Sequence, residues 1–360
     1  MRVLMTTDAV GGVWSYALEL ARVFSRTGGV DTVLAVLGPP PGPTQRREAA
    51  KIPGLRLEIH PGRLEWMEDP WRDVEADGAW LLELEAACAA DVVHLNGYAH
   101  GALPFSAPTL VVAHSCVLSW WQAVKGVPAP RTWQRYRRKV GHGLAGADAI
   151  VAPSRAMADE VVRLYRPPRA VEVIANGRDH RSYVPAAKQD LVLSAGRLWD
   201  EAKNLRALVA AAGCLPWPVY VAGDTSQQPP APVRCLGRLS TRALARWYAR
   251  AAVYALPARY EPFGLSALEA GLSGCALVLG DVPSLRDVWG PAAMFVDPAD
   301  DRALAELITW LMTHPDARAR MGRLARTRAL GFDAARTAEA YRGLYTRLAA
   351  QKAGASACAS

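Results

Sequence analysis

Residues 253–279 constrain the fold more than any other stretch of the chain. Val253–Leu256 is a short apolar run ended by Pro257, the pattern of a strand buried on both faces of a parallel sheet. Ala258–Gly264 carries Pro262 and Gly264 and reads as a loop. From Leu265 onward the pattern turns helical, with Leu265, Leu268 and Leu272 at spacings of three and four. The first N–H groups of a helix have no acceptor within it. Free amides at Gly264, Leu265 and Ser266 are therefore expected to face a phosphate or another polar ligand. Glu261 lies in the loop and Glu269 one turn into the helix. Carboxylates at such a point suit groups that need an acceptor, such as hydroxyls. The plainer alternative is one solvated and one capping glutamate.

Composition sets the outer limits. The chain has 360 residues, 51% hydrophobic and 21% charged, an ordinary globular profile and a length that fits two domains. No run approaches the ~20 apolar residues of a membrane span. The opening Met1–Thr7 reads as a strand, too short in its apolar part for a signal peptide. Cys88, Cys116, Cys214, Cys235, Cys275 and Cys358 are scattered with no Cys-x-x-Cys pair, which points to reduced thiols and a cytoplasmic setting. The net charge of +8 is mostly arginine, since six of the 42 basic residues are lysine. Such a balance favours anionic partners, but no nucleic-acid motif is present, so nucleic acid is not expected.

The first half repeats the strand–loop–helix unit. Arg2–Thr7 is followed by the loop Asp8–Val13, and Val13, Ala17, Leu20 and Phe24 recur helically until Gly28-Gly29. This opens a doubly wound α/β domain, without the full dinucleotide fingerprint. Gly11 and Gly12 either let backbone approach a ligand or simply make a tight turn. Asp31–Leu37 is a second strand, and 38–43 a proline-rich loop. Residues 58–78 are acidic and aromatic, a surface helix or an acceptor pocket wall. Trp80–Ala90 is helical, and Asp91–Leu95 and Pro108–Ala113 are strands. His114 lies just past the last of these, where ligands collect in parallel sheets. Residues 131–145 form an amphipathic helix with Arg135, Arg137, Arg138 and Lys139 off its apolar stripe. It is either core-packed with a solvated basic face or a peripheral contact for an anionic membrane. Ala147–Ser154 is a strand with Ser154 as a helix cap, and 180–189 fits a linker.

The second half carries two more patterned segments. Asp190–Gly196 is a strand leading into Arg197 and then Lys203-Asn204. No Asp-x-Asp metal motif occurs in the chain, so no metal is expected. The charge of an anionic ligand would then fall to side chains and helix-start amides. Arg197 offers a fork and Lys203 a point charge. Ser226–Pro232 is a polar, proline-rich excursion. Thr241–Ala251 is helical, Asp301–Leu330 forms two helices broken at Pro315, and Phe332–Ala350 a last helix.

The segment Glu261-Pro-Phe-Gly-Leu-Ser-Ala-Leu-Glu269 resembles the signature of retaining GT-B glycosyltransferases of family 4, the group 1 type. Gly196-Arg-Leu with Lys203-Asn204, and Val173-Ile-Ala-Asn-Gly177, resemble two further elements of that family in the same order. Arg178 stands where the family usually has an apolar residue. The resemblance covers about residues 1–350 and implies two facing Rossmann-like α/β domains with a cleft between them. It divides the chain into an acceptor-side domain at 1–178, a nucleotide-sugar domain at 179–331, a helix at 332–350 returning to the first domain, and a disordered tail at 351–360.

It implies retaining, metal-independent transfer of a sugar from a UDP- or GDP-linked donor, with no cofactor. The acceptor would be a glycan, a lipid-linked molecule or a small molecule, and the enzyme cytoplasmic or peripheral at the inner membrane face. By resemblance, Arg197 and Lys203 hold the diphosphate, while Glu261 and the amides of Phe263, Gly264 and Leu265 hold the sugar. Glu269 takes the ribose, and Leu239 lies beside the base, or in a simple turn. His114 contacts the sugar or aligns the acceptor. Gly11 and Gly12 let backbone approach the reacting centre. A sugar-nucleotide epimerase, a phosphorylase or a non-catalytic binding subunit are the alternatives on the same fold.

Overall fold

The computed structural model describes residues 1–224 and 230–359, with side chains through residue 354 in the last helix. Part of the Ser226–Pro232 excursion and the Cys358 side chain therefore lie outside the described residues. The chain forms two compact units, one built from 1–122, 127–177 and 334 onward, the other from 123–126 and 178–333.

The first unit is a parallel sheet of β1 (Arg2–Asp8), β2 (Asp31–Gly38), β3 (Arg56–Pro61), β4 (Val92–Leu95), β5 (Thr109–Val112), β6 (Ala149–Ala152) and β7 (Val171–Val173). Their order is β3-β2-β1-β4-β5-β6-β7. The inner strands are buried on both faces, as Val3–Met5 and Leu110–Val112 show, which is why they read as continuous apolar runs. The helix Gly12–Thr27 buries Trp14, Tyr16, Leu20 and Phe24. The last helix, Ala334–Ala359, packs Tyr341, Leu344, Tyr345 and Leu348 into the same core. It continues past Ala350, where the sequence pattern stops it. Residues 351–359 are rich in Ala and contain no proline, and the helix runs on through Gly354. Ser154 caps the helix Arg155–Tyr165 by accepting from Met157 N at 3.2 Å.

The second unit is a parallel sheet of β8 (Gln189–Ala195), β9 (Val219–Ala222), β10 (Arg234–Cys235), β11 (Ala251–Leu256), β12 (Ala276–Gly280) and β13 (Met294–Val296). The order is β10-β9-β8-β11-β12-β13. Every residue of β11 is buried. The stretch read as a low-contact linker is corrected in part: Tyr183 is buried, its ring 6.5 Å from that of Tyr248. In each sheet the strand order reverses once, between β1 and β4 and between β8 and β11. Ligands of doubly wound sheets bind outside the carboxyl ends of the strands at that reversal.

Candidate active site

The reversal in the second unit brings together the loops that follow β8 and β11. Gly223, after β9, packs so tightly on the β8 loop that a Cβ there would lie 1.8 Å from the Gly196 carbonyl oxygen. Asp200 organises the turn Glu201–Lys203. Its Oδ1 accepts from Ala202 N at 3.0 Å, and its Oδ2 from Arg197 Nη2 at 3.1 Å. Asn204, in the left-handed region at φ 56°, donates through Nδ2 to the carbonyls of Pro257 (3.0 Å) and Pro298 (2.8 Å). Arg259 N donates to the Ala202 carbonyl at 2.8 Å. The β8 and β11 loops are thus tied to each other by backbone and amide bonds before any charged pair is counted.

On that frame Lys203 Nζ donates to Glu261 Oε2, and Gly264 N donates to Glu261 Oε1 at 3.0 Å. Both side chains are mostly buried. Gly264, at φ 89°, sits in the left-handed region that favours glycine and lets the loop close on its own glutamate. The amide of Gly264 is therefore not free for a ligand, which corrects one of the three amides read from the sequence. Those of Leu265 and Ser266 stand in the first turn of the helix Leu265–Leu272, where the helix itself supplies no acceptor. Phe263 is buried edge-on against Phe332, 5.6 Å between centroids, so its ring anchors the loop. Ser284 Oγ donates to the Glu261 carbonyl at 2.5 Å.

Glu269 is buried, and its Oε1 accepts from Arg178 Nε at 2.9 Å. Only 4% of the Arg178 side chain is exposed. The residue that departs from the family pattern is thus the partner of the second glutamate of its signature. Arg197 Nε is buried without a partner among the described residues, and its Cζ lies 5.7 Å from the Trp199 ring centre. Leu239 is partly buried in the loop after β10, next to Gly237, whose carbonyl accepts from Gly223 N at 2.9 Å. Arg197, Lys203, Glu261, Gly264 and Leu265 thus gather on the two loops tied together at the reversal.

Gly11, Gly12 and His114 belong to the first unit. Asp8 Oδ1 accepts from Val10 N (2.8 Å) and Gly11 N (3.2 Å), shaping the loop that opens the helix Gly12–Thr27. His114, two residues past β5, lies 2.8 Å through Nε2 from Asn96 Oδ1, and the Tyr16 ring meets its ring edge-on at 4.6 Å. Burial pushes the His114 pKa down to about 3. His94, on β4, is lowered to about 3 by burial first and by His114 beside it second. Asn96 and Arg178 were not singled out in the sequence as site residues. Asn96 lies just past the end of β4, the same strand-end position that marks His114.

The basic helix runs over Gln134–Gly146 after a short turn at Arg131–Trp133. Tyr136, Val140 and Leu144 are buried, while Arg131, Arg137 and Arg138 are exposed. Arg135 pairs with Glu75 at 2.9 Å. Among the described residues no helix is long and apolar enough to cross a membrane.

Two family models tile this chain. Glycosyltransferase Family 4 matches residues 10–182, and Glycosyl transferases group 1 matches residues 176–328. The D-inositol 3-phosphate glycosyltransferase of Xylanimonas cellulosilytica is 28% identical over 92% of this chain and 91% of its own length. Among solved structures, the sucrose-phosphate synthase of Thermosynechococcus elongatus superposes with a TM-score of 0.80 at 20% identity, covering 98% of this chain and 100% of that one. Anabaena HepE, solved with UDP-glucose, has a TM-score of 0.78 at 16% identity, over 96% of this chain and 100% of its own. With both sheets, the order of the motifs and these matches in agreement, the chain belongs to the group 1 glycosyltransferases of the GT-B fold.

Proposed function

We propose that the enzyme is a retaining, metal-independent glycosyltransferase using a UDP- or GDP-linked sugar. The observation that carries this is the Lys203–Glu261–Gly264 linkage at the sheet reversal. Lys203 spends one of its three N–H donors on Glu261 and keeps two for phosphate oxygens. Each oxygen of Glu261 accepts one bond and has a second lone pair for a sugar hydroxyl. Arg197 keeps donors beyond the one given to Asp200. The same unit thus offers cations for a diphosphate and an acceptor for a sugar. The UDP-glucose bound by HepE and the polyhydroxyl compound, D-inositol 3-phosphate, named for the Xylanimonas relative agree with that chemistry.

In the reaction we propose, the bond from the anomeric carbon to the donor phosphate oxygen breaks and a bond to the acceptor oxygen forms. The acceptor proton passes to the departing phosphate, which keeps attack and departure on one face. Arg197, Lys203 and the amides of Leu265 and Ser266 take up the charge of the leaving group. Glu269 accepts from the ribose, and the backbone beside Leu239 borders the base. Gly11, Gly12 and His114 serve the sugar and acceptor. The acceptor is a glycan, a lipid-linked molecule or a small molecule. The exposed arginines of 131–145 support peripheral contact with an anionic surface.

A thermal-shift screen with UDP-, GDP- and ADP-sugars tests the donor class. A donor at 100 times its Kd adds about 2.7 kcal/mol of stability, so one nucleotide series is expected to raise Tm clearly. No shift with any of the three would contradict the proposal.

A further inference from the structure

The first unit holds a hydrogen-bonded chain whose proton positions are fixed by one amide. Asn96 Nδ2 donates to the Thr6 carbonyl at 2.6 Å, and Asn96 N donates to Thr6 Oγ1 at 2.8 Å. A carbonyl only accepts, so the amide nitrogen must face Thr6 and Oδ1 must face the other way. That oxygen lies 2.8 Å from His114 Nε2 and 3.1 Å from His94 Nε2. An amide oxygen only accepts, so both imidazoles carry their proton on Nε2. For His94 the assignment is consistent on its far side, where Nδ1 lies 2.6 Å from Tyr345 Oη and accepts from that hydroxyl. For His114 it leaves Nδ1 with a lone pair and no partner among the described residues.

We propose that Asn96 is a positioning residue that fixes His114 in its neutral Nε2–H form, so that Nδ1 is offered as a hydrogen-bond acceptor to a hydroxyl of the bound sugar or acceptor. The hydroxyl part rests on the glycosyltransferase reading of the site; the tautomer does not. The surroundings keep the ring neutral. Tyr16 meets it from the helix Gly12–Thr27, and His94 shares Asn96 with it from β4. Tyr341 and Tyr345 of the last helix pack on Tyr16 and His94. Tyr98 donates to the neighbouring Ser115 carbonyl at 2.8 Å. These neighbours are phenols and imidazoles, and burial raises the phenols Tyr16, Tyr341 and Tyr345, so they stay uncharged. An imidazole in that setting accepts a hydroxyl proton through a hydrogen bond and does not serve as an acid near neutral pH.

The test reads the ring directly. In the full-length chain, long-range 1H–15N NMR of the histidine rings, with His114 assigned through His114→Gln, is expected to show His114 as the Nε2–H tautomer, unchanged between about pH 5.5 and 8. An Nδ1–H tautomer, or an imidazolium appearing in that range, would overturn the proposal. The Asn96→Asp variant supplies the second arm. A carboxylate in place of the amide oxygen raises the pKa of the ring it faces. The kcat/KM of the variant should then gain an acidic limb, falling about tenfold per pH unit below that pKa, while the parent stays flat there. A variant slower by one constant factor at every pH would show Asn96 to be structural only. An Nε2–H tautomer in a chain that turns over no nucleotide sugar would remove the role given to Nδ1, and with it the reading of the site rather than the proton assignment.

Discussion

Replacing Lys203 by Ala is expected to lower donor turnover by about 10²–10³-fold, the range found when one group that stabilises a developing anion is removed. That is about 2.7–4 kcal/mol of transition-state stabilisation. Lys203 Nζ is bonded to Glu261 Oε2, so on the proposed reading the substitution removes a phosphate ligand and also releases the glutamate proposed for the sugar. Both kcat and kcat/KM should fall. Lys203→Met, which keeps most of the aliphatic stem, separates charge from packing and should be nearly as slow. Lys203→Arg keeps the charge but not the point geometry and should recover part of the loss. Steady-state turnover of the donor found in the thermal-shift screen is the measurement. Parent-like rates in the Ala and Met variants would remove Lys203 from the site.

Arg178→Ala is expected to carry the largest stability cost among the site residues. The Arg178–Glu269 pair is nearly inaccessible, with side chains 4% and 12% exposed. Removing one member of such a pair leaves a buried carboxylate without its cation, which typically costs about 3–5 kcal/mol. Tyr248 packs close to Glu269, and its phenol is raised by burial first and by the Glu269 charge second, so it stays neutral and does not replace the arginine. The cost should be read by native-state hydrogen exchange in β11 and the helix Leu265–Leu272, whose amides then open at lower urea. Removing both charges together, as Arg178→Met with Glu269→Leu, should cost less than Arg178→Ala alone, since apolar replacements of a buried pair are tolerated. A double variant at least as unstable as the single one would show that the cost does not come from the unpaired buried carboxylate.

Much of this was legible in the residues because parallel strands buried on both faces leave uninterrupted apolar runs. Val253–Leu256 and Leu191–Leu193 stand out for that reason, and the residues a few places beyond them are the ones the loops carry to the reversal point. The edge of the first sheet was harder. Arg56–Pro61 alternates charged and apolar residues and is only half covered, so β3 carries no such run. The stretch 58–78, read as a surface helix or a pocket wall, and the helix read over Trp80–Ala90 turn out to share one helix, Trp71–Cys88, whose acidic first half buries Asp77 and Gly78, while residues 58–61 belong to β3. The partners of the site residues were not visible at all. Arg178 meets Glu269 across 91 residues of chain, and His114 meets Asn96 across 18. Pairing at those distances is set by which strand lies beside which, and no local spacing encodes it. The loop at Gly264 shows the reverse case. Its glycine was legible as a turn, but only the folded loop shows that its amide is taken by Glu261.

The central claim is that Arg197, Lys203 and the helix-start amides of the second unit stabilise a leaving diphosphate without a divalent ion. It is tested most directly by the rate of donor turnover in excess chelator, with and without added magnesium or manganese. The account predicts full turnover in chelator and little change when either ion is restored. Turnover that vanishes in chelator and returns only with the metal would contradict it.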